Sequence, residues 1–259
     1  MTTYLWKGAL AVLVAGAVVA CGGGNKGGGG GGGGSQSTAA TPGPHGTASI
    51  TGQIKFTGTA PVNAPIDMSE EPKCKADYST PPREQTVVVN PNHTLDWVFV
   101  YVKSGLPPGA TYPAPKTAVV LDQQGCRYHP HVFGIMVGQP LDIRNSDPLL
   151  HNIKAMPKKN RPFNISQPAA GMNADRTFSE PEIMLPFECN VHGWMHAYAG
   201  VMTNPFYATS DSTGKFTIDS LPAGTYTLEA WQQQYGTKDT SVTVQDGETK
   251  SIDFSFIAH

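Results

Sequence analysis

The segment Cys189-Asn-Val-His192-Gly-Trp-Met195 brings a thiol, an imidazole and a thioether within seven residues of one another. Runs of period-two alternation flank it, Ile183 to Phe187 before and Ala197 to Met202 after. The segment is therefore expected at a loop joining two strands rather than on a helix. A metal site on such a loop needs one more donor from elsewhere in the chain. His151, in Asn145-Ser-Asp-Pro-Leu-Leu-His151-Asn152, is the upstream candidate.

The remaining sequence supports a sheet framework. With 29 glycines, 22 prolines and much alternating Val, Thr, Ile and Tyr, long helices have nowhere to fit, and the expected fold class is all-β. Further strand-like runs occur at Ser49 to Phe56, Thr86 to Val89, Trp97 to Lys103, Ala118 to Asp122, Val132 to Val137 and Pro140 to Arg144, each bounded by Gly, Pro or Asn. One helical turn is expected near Ser69 to Lys75. The balance of 18 basic against 20 acidic residues suggests no nucleic-acid surface.

Residues 1–20 read as a secretory signal, with Lys7 ahead of an apolar run from Ala9 to Ala20 that is too short to span a bilayer. Val18-Val19-Ala20-Cys21 resembles a bacterial lipoprotein cleavage box, which implies acylation of Cys21. The alternative is an uncleaved anchor or an ordinary signal peptide. Residues 21–45, glycine-rich and then Ser/Thr/Pro-rich, are expected to be a flexible tether, with a reach of about 5–6 Å times the square root of its length. The stretch from Gly46 to His259 is long enough for one large β domain or two small ones.

Two histidines, one cysteine and a weak axial methionine form the trigonal donor set of blue copper electron-transfer sites. Each donor also has a plainer reading. His151 alone would pass for a hydrogen-bonded loop histidine, and Met195 for core filler. His196 is a rival fourth ligand, although strand alternation points it away from Met195. His129 and His131 lie at a strand entry and are expected to hydrogen-bond the site or face solvent. Structural zinc seldom uses methionine. A binuclear copper site needs a second nearby cysteine, and multicopper oxidases and nitrite reductases need paired-histidine motifs that eight scattered histidines do not supply. No catalytic constellation is found, so the chain is expected not to be an enzyme.

The region from Cys126 to Met202 resembles the cupredoxin family, in particular plastocyanin and amicyanin. Pro130-His-Val-Phe-Gly-Ile-Met-Val-Gly138-Gln-Pro-Leu-Asp-Ile-Arg-Asn145-Ser-Asp147 is similar to that family's strand, turn and strand before the first histidine ligand. The resemblance implies a Greek-key β-sandwich binding one type 1 copper through His151, Cys189, His192 and Met195. The Cys-x2-His-x2-Met spacing is the short, amicyanin-like ligand loop. Leu149, Leu150, Gly193 and Trp194 are expected either to form an apolar collar at an imidazole edge or simply to pack between loops. The basic run Lys154, Lys158, Lys159 and Arg161 reads as a solvated loop or as a docking surface for an acidic redox partner.

From Thr203 the texture becomes a compact meander, with Asp211-Ser-Thr-Gly-Lys-Phe216-Thr-Ile218 and Leu221-Pro-Ala-Gly-Thr-Tyr226-Thr-Leu228 as its markers. These runs resemble the carboxypeptidase regulatory-like, or transthyretin-like, β-sandwich domain, which implies an interaction or structural module and no reaction. Residues 204–259 are short for a free-standing sandwich, below the roughly 60 residues at which a core is marginal. Strands from 46–60 are therefore candidates to pack on it, with the copper domain, assigned to 46–203, running between.

With Cys21 given to lipid and Cys189 to metal, Cys74 and Cys126 are the available pair for a disulfide in an exported chain. The competing arithmetic pairs Cys189 with one of them and leaves a free thiol. The expected function is a one-electron carrier held at the cell envelope, in periplasm or outer membrane, by a lipid anchor. Its partner would be a redox protein such as a cytochrome or an oxidoreductase. The alternatives are a copper-handling protein, or a cell-surface binding module whose metal is structural.

Overall fold

The computed structural model describes residues 41–258. The signal segment, Cys21 and most of the tether lie outside the described residues. The chain is all-β apart from one turn of helix, Pro72–Ala76, the only helix among the described residues. That helix begins where Pro72 supplies a preset φ and no N–H needing a partner.

The strands form two sandwiches. In the first, a five-stranded sheet runs in the order Phe163–Gln167, His151–Ala155, Glu182–Glu188, His196–Met202, Val132–Met136. It faces a four-stranded sheet ordered Met172–Arg176, Leu141–Asn145, Val119–Gln124, Arg127–His129. Leu121, Tyr128, Ile135, Ile143, Ile153, Leu185, Phe187 and Ala199 fill the space between them, each at most 1% exposed. In the second, a sheet ordered Tyr207–Thr209, Phe99–Ser104, Gly224–Gln232, Gly236–Val244 faces another built on Ala48–Thr57. That strand pairs antiparallel with Lys215–Leu221 and parallel with Thr249–Ser251 and Phe254–Ile257.

Hydrogen bonding thus divides the chain differently from a linear boundary at 203/204. Ala48–Thr57, a candidate above to pack on the C-terminal module, and Phe99–Ser104, assigned above to the copper domain, are central strands of the C-terminal sandwich. The reason is burial. Residues 204–259 cannot cover their own apolar faces, and Ala48–Thr57 presents every second residue, Ala48, Ile50, Ile54 and Phe56 among them, to that core. The first sandwich is the intervening 119–202. The expected tether also ends early, because Thr41–Pro42 pairs in parallel with Ala110–Thr111 and His45 packs edge-on against Tyr112.

Strands escaped the pattern reading where alternation was absent. Met172–Arg176 is an edge strand with four of five residues exposed, and His151–Ala155 is buried on both faces. Thr86 to Val89, expected as a strand, makes only an isolated bridge between Val89 and Leu95.

The two sandwiches meet across an aromatic layer. Phe99, Tyr101, Tyr207 and Trp231 of one lie against Val132, Met184, Tyr198 and Met202 of the other. Gly134 and Gly200, paired across their strands, let the backbones approach: a Cβ at Gly134 would stand 2.1 Å from the Tyr207 ring, and one at Gly200 2.4 Å from the Phe99 ring. Gly200→Val should therefore lower unfolding stability by about 3 kcal/mol, the upper end for an overpacked contact. A denaturation midpoint equal to wild type would contradict this packing.

Candidate metal centre

Three neighbouring strand ends build the site. Glu182–Glu188 pairs with His151–Ala155 on one side, Glu188 opposite Lys154, and with His196–Met202 on the other. Cys189 therefore emerges beside the strand that begins at His151, and the return loop carries His192 and Met195. That loop is closed by its own backbone: Cys189 N–H donates to the Met195 carbonyl at 3.3 Å, and Met195 N–H to the His192 carbonyl at 2.9 Å. Asn190 N–H donates to Asn152 Oδ1 at 2.7 Å, which ties the loop to the His151 strand.

The donors converge in a dry place. His151 is 0% exposed, Met195 1%, His192 2% and Cys189 4%. The Nδ1 atoms of His151 and His192 face one another at 3.0 Å, and Cys189 Sγ lies 3.9 Å from His192 Nδ1. Metal-capable atoms of His151, Cys189 and His192 all lie within 4.8 Å of one another. Met195 packs in the same core cluster as Cys189.

Burial alone would push the Cys189 thiol up. Hydrogen bonds from the His151 and His192 side chains and from the His192 and Asn152 backbone outweigh it and hold the thiol at about 5. Burial would likewise lower His151, but the Asp147 carboxylate and the Cys189 sulfur raise it above its ordinary value. Asp147, which desolvation would raise, is lowered by His151 and by two backbone amides.

Those amides come from a tight hairpin turn. Gly125 and Cys126 both have positive φ, +59° and +55°, joining Val119–Gln124 to Arg127–His129. Their N–H groups donate to Asp147 Oδ1 and Oδ2 at 2.8 and 2.7 Å, and His151 Nε2 donates to Oδ2 at 2.7 Å. A carboxylate hydrogen-bonded behind an imidazole fixes its tautomer, so Nδ1 of neutral His151 presents a lone pair inward. The sequence reading passed over Asp147; its place four residues before His151 was visible, its contact with Nε2 was not.

The rival donors lie elsewhere. The His196 carbonyl accepts from His131 Nδ1 at 3.0 Å, and the other His131 nitrogen stands 3.0 Å from Gln233 Oε1 of the second sandwich. His129 is exposed. None of these three belongs to a metal-capable cluster among the described residues. The other such cluster, Cys126, Asp147 and His151, has its sulfur committed to a disulfide, since Cys74 and Cys126 are joined with Cα atoms 5.6 Å apart.

The apolar residues beside the histidines do not frame an open edge. Leu149 is buried with the disulfide, Trp194 packs on His192 at 5.1 Å between ring centroids and donates its Nε1–H to the Cys126 carbonyl, and Leu150 and Gly193 face solvent, as does Val191. In the basic run, Lys158, Lys159 and Arg161 are exposed and Lys154 is half-buried. The backbone of that loop is not loose: the buried Glu182 carboxylate accepts the N–H groups of Lys158, Lys159 and Asn160.

Residues 198–256 match the carboxypeptidase regulatory-like domain family. That stretch supplies the C-terminal strands of the second sandwich but not its two central ones from earlier in the chain. No curated protein matches the chain. Among solved structures, a reduced point mutant of amicyanin is 19% identical over 34% of this chain and 85% of its own, with a TM-score of 0.30. A purple cupredoxin from Nitrosopumilus maritimus is 20% identical over 33% of this chain and 99% of its own, with a TM-score of 0.28. A copper-containing nitrite reductase from Thermus scotoductus is 21% identical with a TM-score of 0.32, over 39% of this chain, which spans 26% of the reductase's length. These likenesses are confined to part of the chain, and the reading of the site rests on the chain's own donors.

Proposed function

We propose that this protein binds one copper ion through His151, Cys189 and His192, with Met195 as a weak axial donor, and serves as a one-electron carrier. The observation that carries the reading is the meeting of two imidazole Nδ1 atoms and a thiolate-prone sulfur in one buried place. Two inward lone pairs 3.0 Å apart repel unless a cation or a proton lies between them. One thiolate and two neutral imidazoles suit a copper ion better than a hard cation. Copper held there supplies a one-electron couple.

The chain's part is to keep those donors still. The sheets, the closed ligand loop and the Asn152 to Asn190 bond hold one geometry, so little rearrangement accompanies a change of charge. Exclusion of water follows from burial of every donor. The carrier is proposed to work at the cell envelope, anchored by lipid on Cys21 because Val18-Val19-Ala20-Cys21 resembles a lipoprotein cleavage box, and to exchange electrons with a redox protein. Exposed Lys158, Lys159 and Arg161 suit an acidic face on that partner.

The test is spectroscopic and electrochemical. Cu(II) added to the metal-free protein should produce an intense visible thiolate-to-copper band, and the couple should cycle without loss of metal. Met195→Gln should keep the colour and lower the reduction potential, because an oxygen donor stabilises the oxidised state more than a long thioether does. His196→Ala should change neither. A colourless, tetragonal copper spectrum in the unmutated protein would sink the reading.

A further inference from the structure

His192 is 2% exposed, and its cover comes from more than a hundred residues upstream. The stretch 64–84 forms a strap closed on itself, with Ile66 N–H donating to the Pro82 carbonyl at 2.8 Å and Glu84 N–H to the Ala64 carbonyl at 3.0 Å. It is fastened to the metal sandwich at three points: the covalent Cys74–Cys126 disulfide, Tyr78 OH donating to the Gly125 carbonyl at 2.7 Å, and Lys73 Nζ donating to the Pro148 carbonyl at 3.2 Å. Ile66 and Met68 add a small apolar cluster with Leu149 and the two half-cystines. At the centre of the strap, Glu71 Oε2 stands 3.9 Å and Cys74 Sγ 4.0 Å from His192 Nε2.

We propose that the strap is a clamp on the outward side of His192, with Glu71 and Cys74 as positioning residues. Both of its groups beside Nε2 are acceptors, so they favour the tautomer with its proton there and the lone pair on Nδ1, pointing inward. Asp147 does the same for His151. Asp147 backs its imidazole with a hydrogen bond at 2.7 Å, whereas Glu71, at 3.9 Å, acts on Nε2 through its charge alone. A clamped His192 cannot swing out, so the ion is retained while its charge changes; this rests on the copper reading and favours a carrier over a protein that hands its metal on. The disulfide is the main fastening, because it closes a 52-residue separation around a cluster of only five buried residues.

Two variants of the full chain test the clamp, Cys74→Ser/Cys126→Ser to free the strap and Glu71→Gln to remove only the charge. Copper release to excess EDTA should be about tenfold or more faster in the double variant, the usual scale for a lost outer-shell partner. Glu71→Gln keeps the disulfide and should raise the reduction potential, with Glu71→Asp restoring it; a purely structural Glu71 would leave the potential unmoved. In the metal-free protein, diethyl pyrocarbonate followed by mass spectrometry should find His192 protected in wild type and modified in the double variant. Equal protection in those two proteins, or equal release rates, overturns the clamp, and an unchanged potential in Glu71→Gln removes Glu71 from it. If wild type takes up no copper, the carrier reading fails while the protection comparison still decides the strap.

Discussion

Cys189→Ser is expected to abolish the visible copper band and leave at most weak, colourless binding by the two histidines. A serine hydroxyl does not ionise near neutral pH, whereas the Cys189 thiol is held at about 5 by hydrogen bonds that overcome its burial. The thiolate is the metal ligand, so the fraction of protein ready to bind follows its ionisation. Ultraviolet absorbance of the metal-free protein should show thiolate appearing as pH rises through about 5 rather than through the free-thiol value of about 8.5. The sign is that of a group depressed in the native state: its contribution to stability is fully present above the unfolded value and is lost as pH falls through the native one. Copper uptake should fail over the same acidic limb. A band that survives in Cys189→Ser would move the sulfur out of the site altogether.

Asp147→Asn should weaken copper binding about 10- to 100-fold although the side chain touches no metal. Both carboxylate oxygens are engaged, Oδ1 by Gly125 N–H and Oδ2 by Cys126 N–H and His151 Nε2. An asparagine has one acceptor oxygen, so its amide nitrogen must face at least one of these donors. The loss should appear twice, as a metal affinity from competition with a chelator and as about 2–3 kcal/mol of unfolding free energy in the metal-free protein, the scale for charged hydrogen bonds left unmade. An affinity within twofold of wild type would show that His151 is oriented by something other than Asp147.

Much of the candidate site was legible because its potential donors are close in sequence and chemically unusual together. Cys189, His192 and Met195 lie on one loop, and only one distant partner, His151, had to be found. His196 and His131 were harder to place by pattern: the structure turns His131 toward Gln233 and the His196 carbonyl, which no local alternation foretells. Strand pairing is non-local for the same reason: Phe99–Ser104 joins the C-terminal sandwich although nothing in its own pattern says so.

Residue type and spacing alone determined that this chain is all-β, that a soft-donor loop joins two strands, and which residues can ligate, because side-chain chemistry and period-two burial are properties of short stretches. Only the tertiary structure decided what backs those candidate ligands and what covers them. The Asp147 carboxylate that meets His151 is held by a hairpin turn more than twenty residues upstream, and Glu71 and Cys74 reach His192 from more than a hundred positions away. Contacts of that kind depend on where two sheets and a disulfide bring the backbone, and a sequence pattern carries no record of distance in space.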